Sequence, residues 1–178
     1  DDFNTSEVTV SVWVKRNSGG LTWNEQPQAI AYRYQYGYSS PNGESWLLGV
    51  DNSQGPNPNR AYASIFQQAS GSPPGLPAIS PQVTPENQWF LLAMTWTGNT
   101  LRLYENGVMT QEVLEDFEMN TTGSSGISLG MSLQANGHWA PLDGDLDDFG
   151  LWNRALVEEE ILALYNAQLP VLGCTDSI

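Results

Sequence analysis

Apolar positions along this chain fall in short bursts separated by clusters of Gly, Pro, Asn and Ser, a spacing suited to strands and turns. Around TVSVWVK (9–15), Val8, Val10, Val12 and Val14 alternate with Thr9, Ser11 and Trp13, and this period of two predicts a strand. AIAYRYQYGYSS (29–40) predicts another, with Tyr32, Tyr34, Tyr36 and Tyr38 projecting from one face. SWLLGVD (45–51) and RAYASIFQ (60–67) read as strands joined by DNSQGPNPN, whereas 69–87 is rich in Pro and Gly, has no period and predicts a long loop. WFLLAMTW (89–96) and LRLYENG (101–107) form a hairpin across TGNT. VMTQEVLE, ISLGMSL (127–133) and DLDDFGLW (145–152) bring the total to about ten strands. RALVEEEILALYN (154–166) predicts the single helix: Leu156, Ile161, Leu164 and Tyr165 fall near one face, and Glu158, Glu159 and Glu160 occupy early turns where the helix dipole favours anions. No repeat of fixed period and no heptad pattern is present, which argues against a solenoid, propeller or coiled coil.

Length and charge narrow the picture. The 178 residues suffice for one domain with a proper core. Six basic residues, of which Lys15 is the one lysine, face twenty acidic ones, giving a formal charge of -14. Such a surface repels a phosphate backbone and an anionic membrane, so nucleic acid and membrane insertion are not expected; divalent cations, neutral glycans and basic protein patches stay compatible. The bland reading of the acidity is that it keeps a surface protein soluble. No apolar run approaches the roughly twenty residues of a membrane span. The start DDFNTSEV reads as a mature or excised segment, and Cys174, the one cysteine, has no disulfide partner within the sequence.

The order TVSVWVK, NQWFLLAMTW, TGNTLRLYENG, SLGMS and DGDLDDFGLWNRALVEEEILALYN resembles the laminin-G-like branch of the concanavalin-A-like lectin and glucanase jelly rolls. Members show a Trp-containing strand, "gkWhhva.tw", "l.lYvNG", "l.iG" and a closing "G.iDdv.iwnraLs.eEi..ly". The resemblance implies an all-β, concanavalin-A-like jelly-roll β-sandwich of two antiparallel sheets with one short C-terminal helix, spanning 1–169. The tail PVLGCTDSI is similar to the opening of cysteine-rich repeats in large secreted bacterial surface proteins, which implies that 170–178 is a linker into a following repeat. The chain departs from the pattern in three places. DDFNTSE leaves little room for the strand that usually precedes the first Trp strand. Phe90 and Leu91 stand where histidine is common, and Val157 replaces the usual Ser or Thr helix cap, a loss of about 1 kcal/mol at the helix start.

Candidate chemistry concentrates in two places. DGDLDD spaces Asp143, Asp145 and Asp147 like the opening of a calcium loop, but the twelfth position that should be a bidentate Glu is Arg154, so an EF-hand fails. In the jelly-roll glucanases that the closing strand resembles, the Asp matching Asp147 binds a structural calcium through its carboxylate and carbonyl; the alternative is that Asp147 and Asp148 hydrogen-bond neighbouring backbone without metal. Lectins of this fold present aromatic rings to sugar faces with polar side chains reaching hydroxyls. Ile30 shares the parity of the tyrosines, and in the family an Ile near the start of this strand points into the sandwich. The resemblance therefore implies that Tyr32 and Tyr34 are core and leaves Tyr36 and Tyr38 as the ring pair for a glycan, joined by Trp23, Trp46, His138 and Trp139. Trp13, Trp89, Trp96 and Trp152 lie in the recurring strand motifs and are expected to pack.

Catalysis finds little support. EVLEDFE (112–118) lacks the E-x-D-x-E spacing of the fold's glucanases, His138 is the one histidine, and no G-x-S-x-G elbow appears. Asn4 and Asn120 open glycosylation sequons that matter only in a eukaryotic secretory source. The expected function is a non-catalytic recognition module, extracellular or on a cell surface. It would bind a glycan or cell-surface polysaccharide, with structural calcium as the implied cofactor. An adhesive module whose partner is another protein is the alternative, and a hydrolase or lyase comes third.

Overall fold

The computed structural model describes residues 5–17, 28–35, 44–51, 57–67, 76–121, 125–131 and 140–169. The chain runs through β1 (Val8–Arg16), β2 (Gln28–Gln35), β3 (Glu44–Val50), β4 (Arg60–Ile65), β5 (Ala78–Val83) and β6 (Phe90–Trp96). It continues through β7 (Thr100–Glu105), β8 (Val108–Leu114), β9 (Ser125–Leu129), β10 (Ala140–Pro141), β11 (Gly144–Trp152) and helix α1 (Glu158–Gln168). One sheet has five strands in the order β11-β1-β6-β7-β8, the other six in the order β10-β2-β3-β4-β5 with β9 beside β2. All pairs are antiparallel except the two-residue β10, which runs parallel to β2. This is the expected jelly-roll sandwich.

Two elements escaped the sequence pattern. The expected loop at 69–87 contains β5 (AISPQV), an edge strand where Pro81 costs no central ladder bond. β10 is too short to show any period.

The alternation along β1 is real: Val8, Val10, Val12 and Val14 enter the sandwich, where they meet Phe90, Leu92, Met94 and Trp96 of β6 and Ile30, Trp46, Leu48 and Val50 of the other sheet. Arg16 continues that parity but is buried too, and it donates to Asn59 Oδ1 at 3.0 Å and to Glu86 Oε1 at 3.1 Å, tying the end of β1 to segments flanking β4 and β5. Burial lowers its pKa, and Glu86 opposes that shift.

The opposite face of the five-stranded sheet is covered by α1. Ala93, Tyr104, Leu156 and Ile161 form a second buried cluster there, with Trp152 and Leu164 against it. Gly150 is required beneath this layer, because a Cβ would lie 2.3 Å from the Trp152 ring. Thr9 fixes how the chain enters the helix: its hydroxyl donates to Arg154 O and accepts from Leu156 N, both at 2.8 Å.

Val157 gives the helix no side-chain cap, as the sequence predicts. Glu160 takes over part of that role. Its carboxylate accepts from Val157 N at 3.0 Å and holds Arg154 through two bonds of 2.8 and 2.7 Å. The Arg154 bonds first, and the Val157 amide second, lower the Glu160 pKa to about 2. An unfolded Glu titrates near 4.3, so this stabilisation is fully present above that value and is lost as the pH falls toward 2. Arg154→Met is expected to raise the Glu160 midpoint, read from its carboxyl carbon in an NMR pH titration.

Candidate functional site

Tyr36, Tyr38, Trp23, His138 and Trp139 lie outside the described residues. The side chain of Tyr34 does so too, whereas Trp46, expected beside the rings, packs inside the sandwich core and offers no surface to a ligand. Tyr32 is described, and the expectation for it needs correction. It is fully buried, but on the outer face of the six-stranded sheet, in a cluster with Ala29, Leu47 and Phe66 and with Tyr62 packed against it. The cause is a β-bulge: Ala29 pairs with Gly49 and Ala31 with Leu48, so Ile30 is an extra residue, and both Ile30 and Ala31 enter the sandwich. Every side chain after the bulge changes parity relative to the unbroken alternation.

Around Tyr32 the same face carries Ser128, its partner on β9, and Ser64, the partner of Leu47. Their hydroxyls are buried without a hydrogen-bond partner. Rings and hydroxyls are thus combined here, but Tyr32, Leu47 and Ser64 are 0 % exposed and offer no surface to a ligand.

The three aspartates of DGDLDD are all described, and they diverge. Asp143 Oδ1 accepts from Asn17 Nδ2 at 2.9 Å, and Asp145 faces Lys15 at 3.6 Å. Asp147 Oδ1 accepts from the next backbone amide, Asp148 N, at 2.8 Å. Among the described residues no three acidic, histidine or cysteine side chains gather closely enough to hold a metal ion. Asp143, Asp145 and Asp147 thus engage three different partners, and an ion at Asp147 would take its other oxygens from backbone carbonyls or other side chains.

A different arrangement surrounds Asp147. On β11, Gly150 pairs with Ser11 and Asp147 with Trp13, so Asp148 and Phe149 together oppose Val12. Asp148 adopts φ 47°, the left-handed conformation that Asp tolerates better than most residues. Phe149 still packs on the sandwich core, while Asp147 and the bulged Asp148 both border one surface pocket. The pocket is about 220 Å³ and is completed by Trp13, Trp89 and Gln168.

Each wall has a structural reason. Trp13 is 7 % exposed and shares the outward parity of Thr9 and Ser11. Its ring stacks on Tyr165 at 5.7 Å, and its indole N–H donates to Gln168 Oε1 at 3.0 Å. That bond occupies the amide oxygen of Gln168 and leaves the amide nitrogen to donate. Trp89 precedes Phe90, the partner of Val14, and is 44 % exposed. Expected to pack like Trp96, it is instead a surface indole; the family-like strand pattern could not reveal this, because β6 begins one residue later. Among the described residues no basic side chain lines the pocket.

The remaining candidates fall away from this pocket. Glu112 pairs with Arg102 at 2.6 Å, while Asp116 and Glu118 are exposed, consistent with a solvated strand end. Asn120 is 2 % exposed, so its sequon presents no accessible acceptor in the folded chain.

The jelly-roll sandwich with its closing helix defines the fold class, and the family model described as the concanavalin A-like lectin/glucanases superfamily matches residues 1–162. The chain belongs to that superfamily. A comparison with curated protein sequences gives no match. Among solved structures, the CBM40 module of the Ruminococcus gnavus IT-sialidase bound to α2,3-sialyllactose is similar, with 14 % identity, a TM-score of 0.71, and coverage of 90 % of this chain and 83 % of that one. Domain 4 of an extracellular GH43 arabinanase from Geobacillus stearothermophilus, in complex with arabinotriose, has 18 % identity and a TM-score of 0.61, covering 90 % and 67 %. A heptameric SAP-like pentraxin from Limulus polyphemus has 15 % identity and a TM-score of 0.61, covering 90 % and 70 %. Identities this low establish a shared fold.

Two stability outcomes follow from the site. Trp13→Ala should cost about 3–5 kcal/mol, whereas Trp89→Ala should stay within about 0.5 kcal/mol, measured by urea unfolding. Asp148→Gly should be tolerated, while Asp148→Val, which is strained at positive φ, should lose about 1–2 kcal/mol in the same assay.

Proposed function

We propose that this domain is a non-catalytic, extracellular glycan-binding module and that the Trp89 pocket is its sugar site. The observation that carries the reading is the exposed Trp89 indole beside carboxylates and an amide in one pocket of about 220 Å³. An aromatic ring matches the apolar face of a pyranose, and Asp147, Asp148 and Gln168 can accept from or donate to its hydroxyls. Sites for drug-sized ligands span roughly 300–1,000 Å³, so the scale suits a single sugar ring. The fold supports the same reading, because two of its structural neighbours hold bound oligosaccharides, a CBM40 module with sialyllactose and an arabinanase domain with arabinotriose.

Among the described residues no helix is long and apolar enough to cross a membrane, which is compatible with a secreted or surface-displayed module. The calcium ion that the resemblance implies at Asp147 would stiffen the β11 bulge and would compete with a ligand for the Asp147 carboxylate, which borders the same pocket. Calcium should then raise the melting temperature of the wild type and leave that of Asp147→Ala unchanged; equal shifts in both would remove calcium from this position.

On a glycan array, the wild type should bind a discrete set of sugars, and Trp89→Ala should abolish the signal with no change in melting temperature. Unaltered binding by Trp89→Ala would move the site elsewhere. An intact domain that binds no glycan but captures a protein ligand would favour the adhesive alternative. Released oligosaccharides from a polysaccharide panel would show catalysis.

A further inference from the structure

The Trp89 pocket carries an electrostatic signature sharper than sugar binding in general. The bulge at Asp148 turns two consecutive carboxylates toward the same space. Asp147 uses one oxygen on the Asp148 amide, and among the described residues no hydrogen-bond donor or cation pairs with the Asp148 carboxylate. The lysine on the neighbouring register position, Lys15, is paired with Asp145 instead. The other described walls of the pocket are indole rings and an amide, so among the described residues nothing lining it neutralises the carboxylates. The formal charge of -14 adds a long-range field of the same sign.

We infer that the pocket selects a cationic amino sugar, a 2-amino-2-deoxy pyranose with a free ammonium, over neutral, N-acetylated or acidic sugars. The ring face rests on Trp89, and the ammonium lies between Asp147 and Asp148, where it makes charge-assisted hydrogen bonds and gains from the adjacent π face. A carboxylated sugar meets two like charges and is rejected. The left-handed φ of Asp148 fits this role: the bulge brings a second carboxylate to a face where regular alternation would provide one. This inference rests on the Trp89 pocket being the sugar site.

The test is calorimetric titration of the whole domain with chitosan oligosaccharides and with their fully N-acetylated counterparts of equal length, in EDTA so that no divalent ion occupies the carboxylates. The deacetylated series should bind at least about tenfold more tightly at low salt, and the gap should narrow as salt rises. Asp148→Asn, which keeps a residue tolerant of positive φ, and Asp147→Asn, which keeps the bond to the Asp148 amide, should each shrink the gap between the two series. Trp89→Ala should remove both. Equal affinity for the two series, or a preference for sialylated or uronic sugars, overturns the amino-sugar inference and leaves the glycan reading standing. Deacetylated binding that survives both Trp89→Ala and Asp148→Asn reports diffuse attraction to the acidic surface and overturns it too. Binding of neutral sugars that ignores Trp89→Ala instead defeats the pocket as the sugar site.

Discussion

Strand β1 is buried on both faces, and the rest of the domain is arranged around that requirement. Its valines need the sandwich core, so β1 must lie inside a sheet, between β6 and β11. Its other face carries Thr9, Ser11 and Trp13, which are also buried, and a strand with an indole on its outward side needs a cover. Helix α1 supplies the cover, entering at Thr9 and ending where Gln168 meets Trp13. A fold that needed only two sheets would have no reason to bring residues 156–168 back onto the first strand. At the C-terminal end of this helix Gln168, Trp13 and the exposed indole of Trp89 meet around the pocket.

The irregular positions do as much as the regular ones. Both bulges insert one residue and so redirect side chains. At Ile30 the extra residue is apolar, and the sandwich gains a methyl-rich contact while Tyr32 is sent to the opposite surface. At Asp148 the extra residue is charged, and the exterior gains a second carboxylate without disturbing Phe149 in the core. The first change adds burial and the second adds a surface whose chemistry differs from the rest of the strand.

Much of the fold could be read from the chain because its strands alternate cleanly and its hairpins carry strong turns, such as Asn106-Gly107 at φ 50° and 80°. The resemblance of the closing segment added the two-sheet jelly-roll architecture with its C-terminal helix. β5 was hidden by Pro81, whose usual meaning is a loop, and it is compatible with a strand only because that strand is an edge. The site was less legible. Asp147 drew attention by its spacing, but the parity argument for the tyrosines assumed an unbroken strand, and a single-residue bulge leaves no mark in a hydrophobic pattern. Trp89 looked like Trp96 in sequence; one position's difference at the strand end separates an indole in solvent from one in the core. The spacing of the three aspartates resembled a calcium loop, and their separate engagements with Asn17, Lys15 and a backbone amide are not visible in that spacing.

The most direct measurement is an NMR titration of the domain with a binding glycan, following the indole N–H signals of the tryptophans and the backbone amides of β11. Binding at the pocket predicts saturating shifts at the Trp89 indole and at the Asp147 and Asp148 amides, with the signals of Tyr32, Ser64 and Ser128 unmoved. Shifts confined to the outer face of the six-stranded sheet, with Trp89 and Asp148 unchanged, would contradict it.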